Sequence, residues 1–459
     1  MAGQNKRKQS VALYVLIGVL CVIVVILAIL IALPGDKTKQ PAPSQTVAQT
    51  PSASDVPDAP TPGASESASA YPTAKPTQKP AADYNMVTYK GNIEHVFTHS
   101  LIAFPELAYQ SITKENFMQN TYFIDCITVK EFKAILEALY QDGYMLINLN
   151  DFYEAVTVNG STQYQVKKNF LFPEGKKPLV FSFDDTNYYS DKMGRGMVDK
   201  LILNEQGKVV TYTKMKDGRE VIRDDNEFIP VLDKFVEAHP DFSYNGAKGM
   251  ICLTGYDGIL GYRTQRIEAS GLTEQQRQTE INKVKPIVQA LKDTGWYFAS
   301  HSYKHGRMAG ASASWMEDDA SKFKNEVTPL IGETKIYVYP YGSWEQGSGG
   351  NIPASQKVLN NYGFTYFCGV GVSWFSRTAN ADSAYWKEKM NFEGVIFQDR
   401  ANLDGSSFIK HQALFSTTNG AVGGTPRFPS LDFSKIYDDA RGLTYAEAIQ
   451  AYAKMTGQS

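Results

Sequence analysis

Two stretches of this chain place metal-ligating and proton-transferring residue types directly after apolar runs. In Leu179–Tyr189, LVFSFDDTNYY, the run closes on two adjacent carboxylates, Asp184 and Asp185. Val180, Phe181 and Phe183 read as a short buried strand, so both acids are presented at its C-terminal end. An isolated Asp-Asp is usually a solvated or helix-capping pair. A second stretch changes the balance: His301-Ser-Tyr-Lys-His305 follows the apolar segment Trp296–Ala299 in the same way. Two imidazoles and one carboxylate make three ligands for a divalent ion and leave room for water and substrate. The neighbouring carboxylate is then free to accept a proton from water. His301 and His305, four apart, share one side of a helical turn that Ser302 can cap. The pattern is not that of the zincins, because Ser302 stands where their catalytic Glu would be.

The elements that must position these groups are legible in outline. Thr128-Val-Lys-Glu131 has capping-box spacing, and Phe132, Ile135, Leu136 and Leu139 follow at helical period. A unit of helix, Gly-aromatic and strand recurs: to Gly143-Tyr144, to Gly295-Trp296 and to Gly363-Phe364. In each, glycine supplies a left-handed helix end and the aromatic opens a buried strand. Further strands are expected at Gly249–Thr254 and Ile336–Tyr339, and helices at Phe228–Glu237, Trp315–Leu330 and Thr444–Lys454. Alternating strands and helices imply an α/β fold with a mainly parallel sheet, open or closed into a barrel. Functional groups gather at the strand C-termini of such folds. Lys200–Ile222, with turns at Asn204-Glu-Gln-Gly207 and Lys216-Asp-Gly218, reads as a hairpin insertion.

At this point the motifs carry a resemblance. Ser182-Phe-Asp-Asp185 resembles the threonine-phenylalanine-aspartate-aspartate motif of the polysaccharide deacetylases, the family 4 carbohydrate esterases, and His301-Ser-Tyr-Lys-His305 is similar to their histidine motif. Tyr339-Pro-Tyr-Gly342 resembles their third motif, and the match spans roughly Pro178 to Cys368. The resemblance implies a distorted (β/α)7-type barrel with Zn²⁺ or a similar ion held by Asp185, His301 and His305. It also implies Asp184 as general base and the Tyr341 backbone N–H as an oxyanion donor. The reaction implied is removal of N-acetyl groups from an acetylated glycan.

The chain departs from the family near its C-terminus, where no leucine-x-histidine acid motif is evident. His411 is the only histidine after the third motif and is the candidate acid. Asp399-Arg400 is the best match for the motif that orients the base, with Arg400 as the working residue. Upstream, the alternation of Ile93, His95 and Phe97 reads as a strand. It puts His95 and His99 on one face, where His99 is either a site contact or an ordinary structural imidazole. Aromatics at a glycan site stack on the apolar faces of sugar rings, and Tyr188, Tyr341 and Trp344 are the substrate-binding candidates.

The chain ends bear on location. Residues 1–10 carry Lys6, Arg7 and Lys8, and residues 11–33 are an uncharged apolar run of a length that spans a bilayer. Basic residues before such a run place the N-terminus in the cytoplasm and the rest outside, as a single-pass anchor. Residues 34–83 are rich in Pro, Ala, Ser and Thr and read as a disordered tether, leaving 84–459 as the extracellular catalytic domain. The formal net charge of the chain is −2, and no basic stripe points to nucleic acid. Outside the apolar run Cys126, Cys252 and Cys368 are odd in number and read as buried free thiols. A Gly-x-Ser-x-Gly elbow is absent, which disfavours a serine hydrolase. Three readings stay open: a glycan N-deacetylase, an O-acetyl esterase on the same site, and a silent glycan-binding or wall-scaffolding module.

Overall fold

The structure is a computed structural model, and it describes residues 84–91, 93–167, 169–266, 271–343, 354–370, 396–410, 428 and 430–457. Eight strands form its central sheet: β1 (Glu94–His99), β2 (Tyr144–Leu146), β3 (Lys177–Asp184), β4 (Met250–Leu253), β5 (Tyr297–Ser300), β6 (Ile336–Val338), β7 (Tyr366–Val370) and β8 (Ile396–Asn402). All neighbours are parallel, in the order β4-β5-β6-β7-β8-β1-β3-β2. The sheet closes because β3 also pairs with β4, Ser182 opposite Met250 and Phe183 opposite Ile251. Seven strands therefore make the ring. β2 lies outside it, against the first residues of β3 with Leu146 opposite Leu179. The shared edge of β3 is the irregularity of the barrel, and the expected (β/α)7-type fold is the one found.

Alternation along the strands sorts side chains into two layers. Val180, Met250, Cys252, Ala299, Val338 and Cys368 belong to one buried cluster, inside the ring. Their strand neighbours Phe181, Phe183, Ile251, Phe298, Tyr337 and Phe367 belong to the other, which packs under the helices. Phe183 stacks on Phe228 of the helix Phe228–Ala238 with ring centroids 3.9 Å apart. Each such fully buried aromatic stabilises the fold by roughly 1.5–3 kcal/mol.

The helix Val129–Gln141 starts at the expected capping box, Thr128 and Glu131 each bonding the other's backbone N–H. The single helix expected over Trp315–Leu330 is instead broken. Ala313–Lys322 runs into a widened turn, Phe323–Val327, before Thr328–Ile331. Pro329 is the cause, since it has no N–H and its ring crowds the carbonyl of the preceding turn. Residues 200–223 form a three-stranded antiparallel meander, one strand more than a hairpin. Cys126, Cys252 and Cys368 are all buried.

The last helix, Tyr445–Thr456, follows a segment tied to the first large helix by a buried ion pair. The Arg441 guanidinium donates to both oxygens of Glu131 at 2.7 Å, and both side chains are fully buried. Among the described residues no helix is long and apolar enough to cross a membrane. The apolar run 11–33 and the tether 34–83 lie outside the described residues.

Candidate active site

The site forms at the C-terminal ends of β1, β3, β5 and β8. Asp184 is the last residue of β3 and points into the barrel, where it is 2% exposed. Arg400 of β8 meets it from across the ring, Nη1 donating to Oδ1 at 2.7 Å and Nη2 to Oδ2 at 2.8 Å. The guanidinium is itself fully buried and lies over the Phe97 ring at 4.2 Å. Burial works to raise the Asp184 pKa, but the Arg400 charge, with His301 nearby, holds it well below the usual carboxylate range. Asp184 is thus ionised, oriented and short of a proton.

One residue later the backbone turns sharply: Asp185 has φ +56°. Its Oδ1 lies 3.6 Å from His305 Nε2, and the His301 and His305 rings are 5.0 Å apart. Ligand atoms of Asp185, His301 and His305 all lie within 4.8 Å of one another. One ion at roughly 2.0–2.2 Å from each needs only a small side-chain adjustment. The protonation states suit such an ion. Burial lowers the His301 pKa to about 4, so its ring is neutral. Its Nδ1 bonds the Val338 carbonyl at 3.0 Å; a carbonyl only accepts, so Nε2 keeps the lone pair. Burial opposes ionisation of Asp185, but His305 and His301 outweigh it and lower its pKa to about 2. Two imidazoles and an ionised carboxylate fit a zinc-type divalent ion.

The histidine loop is not the helical turn that the spacing suggested. Residues 301–306 are irregular, with Ser302 and His305 both left-handed at φ +63° and +54°. The buried Asp319 carboxylate imposes this path, accepting from Tyr303 N, Lys304 N and Ser302 Oγ at 2.8–3.1 Å. Left-handed non-glycine residues cost about 1–3 kcal/mol each and gather at functional sites; Asp185, Ser302, His305 and Tyr341 are all of this kind.

Tyr341 is 59% exposed, the most open aromatic at the mouth among the described residues. Its ring lies 4.6 Å from that of His305, with the Arg307 guanidinium at 4.2 Å on it. Gly342 has φ +59°, and a Cβ there would stand 2.6 Å from Val370 Cβ, so the turn at Tyr341 requires glycine. Tyr188 is a correction. The positive φ at Asp185 and again at Tyr188 rotates that side chain into the core, where it is 4% exposed. Its neighbour works instead: Tyr189 Oη donates to Asp185 Oδ1 at 2.6 Å and is within 2.8 Å of Thr254 Oγ1. Tyr256 stacks on Tyr189 at 5.0 Å and is 40% exposed. Trp344 and His411 lie outside the described residues, as does the side chain of Asp399.

His99 takes up a place that sequence reasoning left open. It ends β1 opposite Asp184, and its Nδ1 is 2.9 Å from Asp404 Oδ2. Asp404, 1% exposed, also accepts from Thr98 Oγ1 at 2.7 Å and His99 N at 3.3 Å. Burial lowers the His99 pKa, but the Asp404 carboxylate prevails and raises it to about 10. A protonated imidazole opposite the ionised Asp184 sets an acid next to a base.

Residues 267–367 match the family model described as Polysaccharide deacetylase. That segment contains both ligand histidines and the Tyr341 turn. The match marks this segment as similar to the polysaccharide deacetylase family. Asp184 and Asp185 precede the matched segment, and the folded chain brings them to it. Among solved structures the chain is similar to Streptococcus pyogenes deacetylase PplD in complex with acetate, at 13% identity, covering 68% of this chain and 92% of that one, TM-score 0.34. It is similar to a family 4 carbohydrate esterase from Streptomyces lividans in complex with acetate, at 15% identity over 47% and 77%, TM-score 0.19. A family 4 pseudoenzyme from Bacillus anthracis is also similar, at 13% identity over 39% and 51%, TM-score 0.21. No curated protein matches.

Proposed function

We propose that this chain is a membrane-anchored, divalent-metal-dependent deacetylase that removes N-acetyl groups from a GlcNAc-containing glycan of the cell envelope, its catalytic domain outside the membrane. The observation that carries the reading is the convergence of Asp185, His301 and His305 beside an Asp184 clamped by Arg400. The anchored location rests on the apolar run 11–33 behind Lys6, Arg7 and Lys8.

Asp185, His301 and His305 would hold one divalent ion, Zn²⁺ by the chemistry of the donors. When bound, such an ion supplies a Lewis acid that acidifies water and polarises the acetyl carbonyl. Asp184 takes the proton from the attacking water at its carboxylate, which Arg400 keeps ionised and aimed. The Tyr341 N–H stands at the mouth as a donor to the charge that develops on the carbonyl oxygen. His99 donates the proton that the departing amine needs, through the ring nitrogen not engaged by Asp404. His99 is preferred to His411 as the acid because β1 sets it opposite Asp184 and Asp404, just after β8, supplies its partner. The exposed rings of Tyr341 and Tyr256 offer faces for a sugar, and Trp344 remains a proposed contact.

The test is acetate release from N-acetylated and O-acetylated polymers, with and without chelator, by the full chain, Asp184→Asn and His301→Ala. The expected outcome is chelator-sensitive release from N-acetylated glycan, abolished by both substitutions, with the ion retained by Asp184→Asn and lost from His301→Ala. Glycan retention without acetate release would instead identify a binding module, and preferential release from O-acetylated polymer an esterase.

A further inference from the structure

Beneath Asp184 the barrel interior holds a continuous string of buried polar side chains. Gln398, His95, Ser182 and Arg400 are each no more than 1% exposed, although much of the surrounding interior is aliphatic or thiol-bearing. Buried polar groups are costly unless every donor meets an acceptor, and here the pairing has a direction that can be worked out.

Gln398 Nε2 donates to the Ile93 carbonyl at 3.2 Å. A carbonyl cannot donate, so the amide orientation is set and Oε1 faces His95 Nδ1 at 3.1 Å and the Tyr366 hydroxyl at 3.0 Å. Oε1 only accepts, so Nδ1 of His95 carries the proton. Burial, with the Arg400 charge, lowers the His95 pKa to about 3; the ring is neutral and Nε2 holds a lone pair. The hydroxyl of Ser182, at 3.0 Å, is its partner and must be the donor. With its proton turned that way, Ser182 Oγ presents a lone pair to Arg400 Nη1 at 3.1 Å. That same nitrogen holds Asp184 Oδ1 at 2.7 Å. The competing acceptor for the serine proton, the Val96 carbonyl, is farther away at 3.4 Å, and using it would leave His95 Nε2 a buried acceptor without a donor.

We infer that Gln398, His95 and Ser182 are positioning residues for the base, a one-way chain of hydrogen bonds that starts at the Ile93 carbonyl and sets the approach of Arg400 to Asp184. The inference rests on the deacetylase reading for its catalytic consequence but not for its proton arrangement. None of the three residues touches the metal-ligand set. Their effect is therefore on turnover and not on metal or substrate affinity, because a misdirected Arg400 leaves Asp184 bound but poorly aimed.

Two measurements on the full chain test it. The first is nitrogen NMR of histidine-labelled protein, with the His95 signal identified by its loss in His95→Gln. The expected state is a neutral ring with Nδ1 protonated and Nε2 bare, and Ser182→Ala shifts the Nε2 signal. A ring protonated at Nε2, or unmoved by Ser182→Ala, overturns the chain of bonds whether or not acetate is released. The second is kinetic. Ser182→Ala and Gln398→Met should each lower kcat about 10-fold with KM and Co²⁺ affinity within about twofold, while Ser182→Thr, which restores the hydroxyl, returns most of the loss. An unchanged kcat in Ser182→Ala, or equal loss in Ser182→Ala and Ser182→Thr, refutes the positioning role. So does a fall in Co²⁺ affinity that parallels kcat, which would mean general damage. Wild-type protein that releases no acetate while His95 shows the expected state would reject the proposed function and leave the bond order standing.

Discussion

Replacing Arg400 with methionine is the most searching perturbation of the site. The substitution keeps the length of the side chain in the barrel but removes the two hydrogen bonds, at 2.7 and 2.8 Å, that hold Asp184. Both partners are buried, at 0% and 3% side-chain exposure, so the carboxylate is left as an uncompensated buried charge. Breaking such a pair costs about 3–5 kcal/mol, which at about 1.4 kcal/mol per pKa unit corresponds to roughly 2–4 units. Asp184 is held low in the wild type, where the Arg400 charge overcomes burial. Without the guanidinium, burial dominates and the pKa moves upward. Stability conferred by a depressed carboxylate is present above its unfolded pKa and lost as pH falls through the folded value. The gap in melting temperature between wild type and variant is therefore widest near neutral pH and narrows in acid. Its size at neutral pH should be roughly 3–6 °C for a chain of this length. The assays are a melting curve at several pH values and the pH profile of kcat/KM, whose acid limb should rise by about 2–4 units. A variant that melts with the wild type at neutral pH and keeps its acid limb would refute the account of how the base is prepared.

Two further outcomes follow from neighbouring contacts. Asp404→Asn removes the carboxylate that raises the His99 pKa to about 10 against burial. The stability due to that pair is present below the free imidazole pKa and lost as pH rises toward 10. The alkaline limb of kcat/KM should therefore fall by at least about one unit, and the stability loss should be larger at pH 6 than in alkali. Tyr189→Phe deletes the 2.6 Å bond to Asp185 Oδ1 and should weaken Co²⁺ binding about 10- to 100-fold, measured by calorimetry; wild-type affinity would show that Asp185 needs no brace.

Much of this site was legible before any coordinates, because its pieces carry local signals. Asp184 and Asp185 close an apolar run, and the histidines close another, so strand ends could be assigned from the pattern alone. The helix–glycine–strand recurrence likewise pointed to a mainly parallel sheet, open or closed, and it was the family resemblance that implied the ring of seven strands. What local pattern could not supply was the partner. Arg400, 216 residues from Asp184, was reached only through the resemblance to a family motif, and Asp404, 305 residues from His99, was not reached at all, because nothing near His99 announces it. Tyr188 was misplaced for a different reason. It was chosen as an aromatic following a strand end, and the left-handed residues Asp185 and Tyr188 decide which of the neighbouring tyrosines faces Asp185. The histidine loop failed similarly, since the buried Asp319 that shapes it lies well downstream.

The closure of the ring has a consequence for the order in which the protein can be assembled. Synthesis begins at the N-terminus, so both edges of β1 and the paired carboxylates emerge long before β8, which covers one of those edges at Val96 and Phe97. Until then a strand edge lies open to pairing with other chains, and Asp184 has no cation. The Glu131–Arg441 pair extends the delay almost to the end, since the first large helix waits for a residue near the last one. Folding should therefore be late and steeply cooperative. A nascent chain stopped short of Arg400 would be prey for proteases and chaperones, not a weakened catalyst.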